Sequence, residues 1–131
     1  MSQVLVSLLG RVKTIAIVGA SPKPERASYQ VMEYLLNLDY DVIPINPKPE
    51  INEILGCRVV NSLDQLSSPV DMVDVFRKSN ALMGVARESV SLGAKVLWAQ
   101  LGVIDHAAAS YANRNGLSVV MDRCPKIELE K

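Results

Sequence analysis

Short apolar segments alternate with longer segments of helical period from residue 14 onward. The apolar segments are nearly continuous and rich in β-branched residues, which is typical of strands covered by helices on both faces. We predict strands at 14–18, 41–45, 70–76, 95–99 and 117–121. Because strands that alternate with helices build parallel sheets, the pattern predicts a doubly wound α/β domain with a five-stranded parallel sheet.

Helix signals fill the intervals between the predicted strands. The expected helix starts are at Ser28, at Ser62 with its capping-box partner Gln65, at Ser79 and at Asp105. Gly93 stands where the third helix needs a left-handed residue at its end, and the fourth is expected to end near Asn115 and Gly116. Apolar residues at helical spacing predict a further amphipathic helix within residues 1–13.

Length and composition fit one ordinary globular domain. The chain has 131 residues, of which 49% are hydrophobic. We predict one domain over 1–131, with the N-terminal helix at 1–13, the core at 14–125 and a tail at 126–131. Lys and Arg number 14, as do Asp and Glu, so the formal charge is +0. That balance predicts no bulk attraction for nucleic acid or an anionic membrane, but leaves room for a local anion pocket.

Cysteine usage and the start of the chain indicate a compartment. Cys57 and Cys124 lie far apart without paired spacing, so a reducing cytosol is the simpler assumption. Arg11 and Lys13 interrupt the first apolar residues, and no apolar run approaches the roughly 18 residues of a spanning helix. We therefore expect a cytoplasmic protein without a membrane segment. The acidic residues have no metal-ligand spacing, so no metal site is predicted, and no protein partner is indicated.

The turn after the first strand is the first candidate site, because ligands of open parallel sheets bind beyond the carboxyl ends of the strands. Gly19, Ala20 and Ser21 are small enough for backbone N–H groups to approach an anion. Arg26 and Ser28 add donors that suit phosphate oxygens. The alternative is an ordinary strand-to-helix turn, which also prefers small residues.

Two missing motifs narrow the choice of ligand. The dinucleotide fingerprint needs three spaced glycines and an acidic residue after the second strand, whereas here that strand is followed by Asn46, Pro47 and Lys48. The lysine-containing loop of nucleoside triphosphatases is also missing, which excludes that class. Lys48 after a rigid proline suits a phosphorylated ribose, unless it is simply a solvated lysine.

The third and fourth strands end in further candidates. Phe76 offers a flat surface to an adenine, with Arg77 near the phosphates, although Phe76 equally suits the core. After the fourth strand, Gln100 offers an amide to a base or ribose, and Gly102 permits close approach of a ligand.

Candidate catalytic groups are few. His106 is the single histidine and lacks a nucleophile partner in any motif, so it is interpreted as a surface residue. Cys124 lies beyond the fifth strand, where Arg123 beside it would favour a thiolate, and it is a possible reactive thiol. The alternative is a small buried cysteine without chemistry.

Taken together, five segments resemble the small CoA-binding protein family, whose domain is similar to the CoA-binding domain of the succinyl-CoA synthetase alpha subunit. The segments, in chain order, are Gly19-Ala20-Ser21 with Arg26 and Ser28, Val42-Ile43-Pro44-Ile45-Asn46-Pro47, Asp71-Met72-Val73-Asp74-Val75-Phe76-Arg77, Leu97-Trp98-Ala99-Gln100-Leu101-Gly102-Val103, and Asp122-Arg123-Cys124. They span roughly residues 14–125 and fall on the predicted strands.

The resemblance implies a Rossmann-like fold that binds coenzyme A, with the adenosine diphosphate part over the first loop and the Asn46-Pro47-Lys48 segment. It implies no reaction, because the phosphorylated histidine of the synthetase belongs to a separate domain and is not transferred to His106. The leading hypothesis is a non-catalytic or accessory protein that binds CoA or an acyl-CoA. The alternatives are a CoA-linked transferase or a thiol-dependent enzyme that uses Cys124, and, less favoured, an NAD(P)-binding oxidoreductase.

Overall fold

Seven strands are present in the computed structural model, which describes residues 2–131. They are β1 (Thr14–Val18), β2 (Asp41–Ile45), β3 (Glu53–Ile54), β4 (Cys57–Arg58), β5 (Met72–Val75), β6 (Val96–Ala99) and β7 (Ser118–Val120). Five of them form a parallel sheet in the order β2-β1-β5-β6-β7. All five predicted strands are confirmed, β1 and β2 at their predicted bounds and the other three shorter than predicted.

Five α-helices surround the sheet. They are α1 (Ser2–Gly10), α2 (Ala27–Asn37), α3 (Leu82–Leu92), α4 (His106–Arg114) and α5 (Pro125–Glu130), and Leu63–Gln65 and Ser79–Ala81 form single 3-10 turns. The predicted N-terminal helix is confirmed as α1, although Met1 lies outside the described residues. The segment predicted as a tail forms α5, which begins at Pro125, a residue suited to a first helical turn.

Two predicted helix caps, Ser28 and Ser79, are wrong, and a third, Ser62, has the predicted position but makes no side-chain capping hydrogen bond. α2 begins before Ser28, which is buried inside its first turn. Ser62 donates to the carboxylate of Asp64 and precedes only a 3-10 turn. The hydroxyl of Ser79 donates to the carbonyl oxygen of Gly102 at 3.3 Å and accepts from the N–H of Ile104 at 2.9 Å. Ser79 therefore fixes the loop after β6, and α3 begins three residues later.

The fourth predicted cap and both predicted helix ends are confirmed. Asp105 accepts a hydrogen bond from the N–H of Ala108 at 3.2 Å, which satisfies a free donor of the first turn of α4. Gly93 adopts the left-handed conformation after α3, with φ of 86°. α4 ends at Arg114, followed by Asn115 at the C-terminal cap.

Two cores cover the two faces of the sheet, as a doubly wound domain requires. α1, α2 and α5 pack on the face that carries Ile15, Ile17 and Trp98. α3 and α4 pack on the face that carries Val73 and Leu97. The chain is thus a single Rossmann-like α/β domain, and the predicted fold class is confirmed.

The arrangement creates a crevice between β1 and β5. After β1 the chain crosses to α2 on one face, whereas after β5 it crosses to α3 on the other face. Two crossovers that diverge from neighbouring parallel strands leave an opening beyond their carboxyl ends. Within residues 2–131, no helix combines the length and apolar character needed to cross a membrane.

Candidate functional site

A cavity of about 900 Å³ opens at this crevice. Gly19 follows β1, Phe76 and Arg77 follow β5, and Gln100 follows β6, and all four line the cavity. These four residues were predicted as site residues from the sequence, so the sheet brings part of the predicted set together. Residues of α2 and α5 complete the wall.

Gly19 permits two loops to approach each other at the crevice. Its φ is +88°, and a Cβ atom built on it would lie 2.5 Å from the carbonyl oxygen of Phe76. The N–H of Phe76 in turn donates to the carbonyl oxygen of Val18 at 2.8 Å. A larger residue would have to move one of these loops, so glycine at position 19 shapes the mouth of the cavity.

The backbone donors of the first loop are partly used inside the fold. The N–H groups of Gly19 and Ala20 both donate to the carbonyl oxygen of Ile45 at 3.2 Å, contrary to the expectation that they face an anion. The hydroxyl of Ser21 accepts from the N–H of Lys23 at 3.1 Å, which closes a local turn. The loop is therefore pre-shaped by its own hydrogen bonds.

The start of α2 supplies donors that the first loop does not. Arg26 occupies the cap position, and its side chain makes no capping hydrogen bond. Ala27, the first residue of α2, lines the cavity. Free N–H groups and the positive end of a helix dipole favour an anion at such a place. Arg26 is exposed beside this end, whereas Ser28 is buried.

Asn46 joins the first loop to the loop after β2. Its Nδ2 donates to the carbonyl oxygen of Ala20 at 2.8 Å, and its Oδ1 accepts from the N–H of Lys48 at 2.9 Å. Pro47 and Lys48 are exposed and lie outside the cavity wall. The structure thus places Asn46 as a link between the two loops.

Gly102 also lies outside the cavity wall, although both of its neighbours line it. Its φ is +79°, and its N–H donates to Oδ1 of Asp122 at 2.7 Å. Its conformation therefore turns the loop after β6, and this loop places Leu101 and Val103 against the cavity.

The charged residues in the cavity wall are all cations. Arg77 and Lys78 come from the loop after β5, and Lys126 comes from α5. No Asp or Glu lines the cavity among the residues that the structure describes. Much of the remaining wall is apolar, with Val31 and Ile127 on the helices. The cavity therefore suits a ligand with an apolar part and negative groups.

Cys124 lines the same cavity from the position before α5, and only 6% of it is exposed. Arg123 lines a different groove, beside β7, and its guanidinium donates to the carbonyl oxygen of Asp122. The expected pairing of Arg123 with the thiol is therefore not observed. Cys57 lies in β4 away from the cavity, and burial raises the pKa of its thiol, with smaller contributions from Asp41 and Glu53.

His106 is exposed at the first position of α4 and does not line the cavity. It is 18 residues upstream of Cys124 in the chain and contributes to the groove beside β7. The structure thus places the single histidine outside the candidate site.

Asp74 is a residue that sequence reasoning missed. It lies in the central strand β5 with none of its surface exposed, and one end of the Gln100 carboxamide lies 2.9 Å from its Oδ1. Burial raises the pKa of the Asp74 carboxyl well above its ordinary value. The available signal was an aspartate between Val73 and Val75 in a strand that is otherwise apolar.

Comparisons with known proteins identify relatives in sequence and in fold. Uncharacterized protein YneT of Bacillus subtilis (strain 168) is 41% identical over 120 residues, which are 92% of this chain and 87% of YneT. A hypothetical protein from Pyrococcus horikoshii OT3 superposes with a TM-score of 0.92 at 38% identity, covering 99% of this chain and 90% of the other.

A larger enzyme shares part of the sequence. Acetate--CoA ligase [ADP-forming] I subunit alpha of Pyrococcus furiosus is 30% identical over 89 residues, which are 65% of this chain but only 19% of that subunit. The family described as CoA binding domain matches residues 13–130. Since that match covers β1 to α5, the chain belongs to the CoA binding domain family.

Proposed function

We propose that this protein binds coenzyme A, free or as an acyl-CoA, in the cavity at the carboxyl ends of β1, β5 and β6. The observation that carries the proposal is the wall of that cavity, which combines apolar side chains with Arg77, Lys78 and Lys126. CoA has a long arm of low charge and three phosphate groups, and such a wall complements both parts. The family to which the chain belongs supports the same ligand.

In the proposed arrangement the phosphates lie at the rim and the pantetheine arm lies inside. The uncapped start of α2 and Arg77 face the pyrophosphate, because both favour negative charge. Arg26 and Lys48 are the exposed cations available to the 3′-phosphate. Phe76 gives the adenine or the arm a flat apolar surface, and Gln100 supplies a polar contact deeper in the cavity.

We propose further that CoA is bound without being transformed. Catalysis of acyl transfer needs a nucleophile with a base beside it. Cys124 is the one thiol of the described cavity wall, and no histidine, aspartate or glutamate of that wall stands ready to accept its proton. A carrier or accessory role follows from such a wall. The position of Cys124 favours the thiol-dependent enzyme as the second candidate.

Isothermal titration with CoA, acetyl-CoA, NAD and ATP tests the ligand. We expect CoA and acetyl-CoA to bind more tightly than NAD or ATP. Tighter binding of NAD than of CoA would overturn the choice of ligand. If none of the four compounds gives heat on titration, the protein shares the fold of its family but not the proposed ligand.

The matched variants are Arg77→Ala in the cavity and Arg114→Ala at the end of α4, on the opposite face of the sheet. The first is expected to weaken CoA binding and the second to leave it unchanged. Intact mass after incubation with acetyl-CoA separates the two candidate functions. An added acetyl group on Cys124, with release of free CoA, would favour the enzyme over the carrier.

A further inference from the structure

Asp74 and Gln100 form a buried polar pair below the proposed CoA site. Asp74 lies in β5 between Ile17 of β1 and Trp98 of β6, and neither neighbour carries a charge. Because side chains alternate along a strand, Asp74 lies on the face of Met72, which α2 and α5 cover. Among residues 2–131 this enclosed carboxyl group has one polar side-chain partner, on which it depends strongly.

Gln100 is that partner, and it also reaches the cavity. Only 6% of Gln100 is exposed, and its side chain forms part of the cavity wall. One end of its carboxamide lies 2.9 Å from Oδ1 and 3.3 Å from Oδ2 of Asp74. The opposite end is the polar part of Gln100 left to face a ligand. The two ends have nearly the same shape but opposite hydrogen-bonding character.

The protonation of Asp74 selects which end of Gln100 it holds. An ionised carboxylate accepts only, so it requires the NH₂ group of Gln100 and leaves the oxygen Oε1 towards the cavity. A neutral carboxyl group can still accept, but it also has an O–H to donate, and Oε1 is the end of Gln100 that can accept it; this form therefore favours Oε1 at Asp74 and the NH₂ group towards the cavity. The complete burial of the Asp74 carboxyl group favours the neutral form.

We propose that Asp74 is a positioning residue whose proton sets Gln100 to present an N–H donor to a carbonyl oxygen of the bound CoA or acyl-CoA. The proposal rests on the proposed function and adds the part of the ligand that is recognised. The carbonyl oxygen belongs either to an amide of the pantetheine arm or to the thioester of an acyl-CoA. When Asp74 loses its proton, Gln100 would present its acceptor Oε1 instead, and this oxygen would repel the carbonyl oxygen of the ligand.

The other charged groups around the pair leave this control with Asp74. Arg77 and Lys78 face the cavity from the loop after β5, and Lys126 faces it from α5. The thiol of Cys124 lies on the same wall, and α2 contributes only uncharged side chains to it. Lys and Arg side chains carry hydrogen-bond donors and no acceptor, so none of the three can hold the NH₂ group of Gln100 as the Asp74 carboxylate does.

Affinity measured against pH tests the proposal, with acetyl-CoA as the ligand because its thiol is blocked. For the wild type we expect the affinity to fall by up to about tenfold per pH unit above the pKa of Asp74. Asp74→Asn should bind as the wild type does at low pH and keep that affinity at high pH, because an asparagine amide donates permanently to Gln100 Oε1. Gln100→Leu should bind weakly at every pH.

Gln30→Leu is the matched control, because Gln30 lines the same cavity but donates to the carbonyl oxygen of Pro24. Its pH profile should follow that of the wild type, whatever its absolute affinity. S-ethyl-CoA, which lacks the thioester carbonyl, identifies the group that is recognised. A pH profile shared by both ligands indicates a pantetheine amide, and a profile limited to acetyl-CoA indicates the thioester.

Identical pH profiles for the wild type and Asp74→Asn would overturn the proposal while leaving CoA binding intact. Absence of CoA binding at all pH values would instead overturn the proposed function. The pair is then still tested in the free protein by NMR. The side-chain amide signals of Gln100 should shift with the carboxyl signal of Asp74, and independent titration of the two would contradict their coupling.

Discussion

The side-chain amide of Asn46 donates a 2.8 Å hydrogen bond to the carbonyl oxygen of Ala20, and its oxygen accepts a 2.9 Å hydrogen bond from the N–H of Lys48. One side chain thus connects the loop after β1 with the loop after β2. Both loops were predicted to contact CoA, and this link adds to the hydrogen bonds from Gly19 and Ala20 to Ile45 that also hold the loops together.

Substitution of Asn46 is expected to weaken CoA binding without contact between Asn46 and the ligand. Asn46→Ala removes both hydrogen bonds and should lower the free energy of unfolding by about 1–2 kcal/mol. Asn46→Asp retains the acceptor for Lys48 but loses the donor to Ala20. Its stability and CoA affinity should therefore lie between those of the wild type and those of Asn46→Ala. Calorimetric titration and urea denaturation measure both effects.

Asn115→Ala is the control, since Asn115 Nδ2 donates to the carbonyl oxygen of Tyr111 at 2.8 Å in α4, away from the cavity. It should lose a comparable hydrogen bond and keep its affinity for CoA. Equal affinity of Asn46→Ala and the wild type would mean that the two loops are held in place by other contacts.

Gly19 and Gly84 are expected to respond to alanine with opposite signs. Gly19→Ala places a Cβ against the carbonyl oxygen of Phe76 at a positive φ, so we expect a loss of about 1–3 kcal/mol of unfolding free energy. Gly84 lies inside α3 with open space around it, and Gly84→Ala should stabilise the protein by about 0.5–1 kcal/mol. Thermal denaturation measures the stability of both variants. If Gly19→Ala is as stable as the wild type, the loop after β5 can move aside.

The sheet was predictable because its five strands are continuous apolar segments that few other structures accommodate. The β3–β4 hairpin was not, since its turn contains Leu55 and Gly56 at φ of 51° and 78°, where leucine gives no turn signal. The two wrong caps have different causes. Ser28 and Ser79 have the composition of caps, but burial and a loop on a neighbouring strand use them differently.

The candidate site was predictable in its location more than in its details. The rule that ligands bind beyond strand ends located Gly19, Phe76 and Gln100 at the cavity. Asn46 was predicted as a ligand contact, and its hydrogen bonds within the fold to Ala20 and Lys48 were not foreseen. Asp74 was missed because only the folded sheet reveals that its partner Gln100 reaches the cavity.

Lys48 or Arg26 is expected to recognise the 3′-phosphate that distinguishes CoA from dephospho-CoA. Both side chains are exposed, Arg26 directly before Ala27 of the cavity wall and Lys48 two residues after Asn46, which bonds to the first loop. If one of them binds that phosphate, its substitution by alanine should weaken CoA by roughly tenfold to 100-fold and dephospho-CoA much less. Titration of both ligands against both variants assigns the contact. Equal weakening of the two ligands by one variant would place that cation at the pyrophosphate instead.

Cys124 is expected to form a mixed disulfide with CoA disulfide. The Cys124 thiolate would attack one sulfur of the reagent, so that one S–S bond forms, one breaks and one CoA leaves as a thiolate. Its place in the cavity wall aligns it with a bound pantetheine arm. Intact mass should show a reducible adduct that persists in Cys57→Ser and disappears in Cys124→Ser. An adduct that follows Cys57, whose pKa is raised by burial, would contradict the proposed position of the arm.

Asp74 is expected to make stability fall as pH rises. Burial raises its pKa in the folded protein, whereas the unfolded chain keeps the ordinary value near 3.9. Above that value the unfolded chain releases the proton first, so the free energy of unfolding decreases until the pH passes the folded pKa. The slope in this window is up to about 1.4 kcal/mol per pH unit. Asp74→Asn cannot titrate, so its stability relative to the wild type should improve steadily across the window.

Asp71, two residues before Val73 and directly before β5, provides a control of opposite sign. Its pKa is lowered, chiefly because its carboxylate accepts a hydrogen bond from the N–H of Lys13 at 2.8 Å. The unfolded chain therefore holds the Asp71 proton to higher pH, and the contribution of Asp71 is lost as the solution becomes acidic. Urea denaturation from about pH 3 to pH 9 measures both effects. Asp71→Asn should be less stable than the wild type at neutral pH and approach the wild type at low pH, whereas Asp74→Asn should gain stability relative to the wild type as the pH rises. The free energies of unfolding of Asp74→Asn and the wild type could instead differ by a constant amount across that range. The Asp74 carboxyl group would then titrate in the folded protein as it does in the unfolded chain, and solvent would have to reach it.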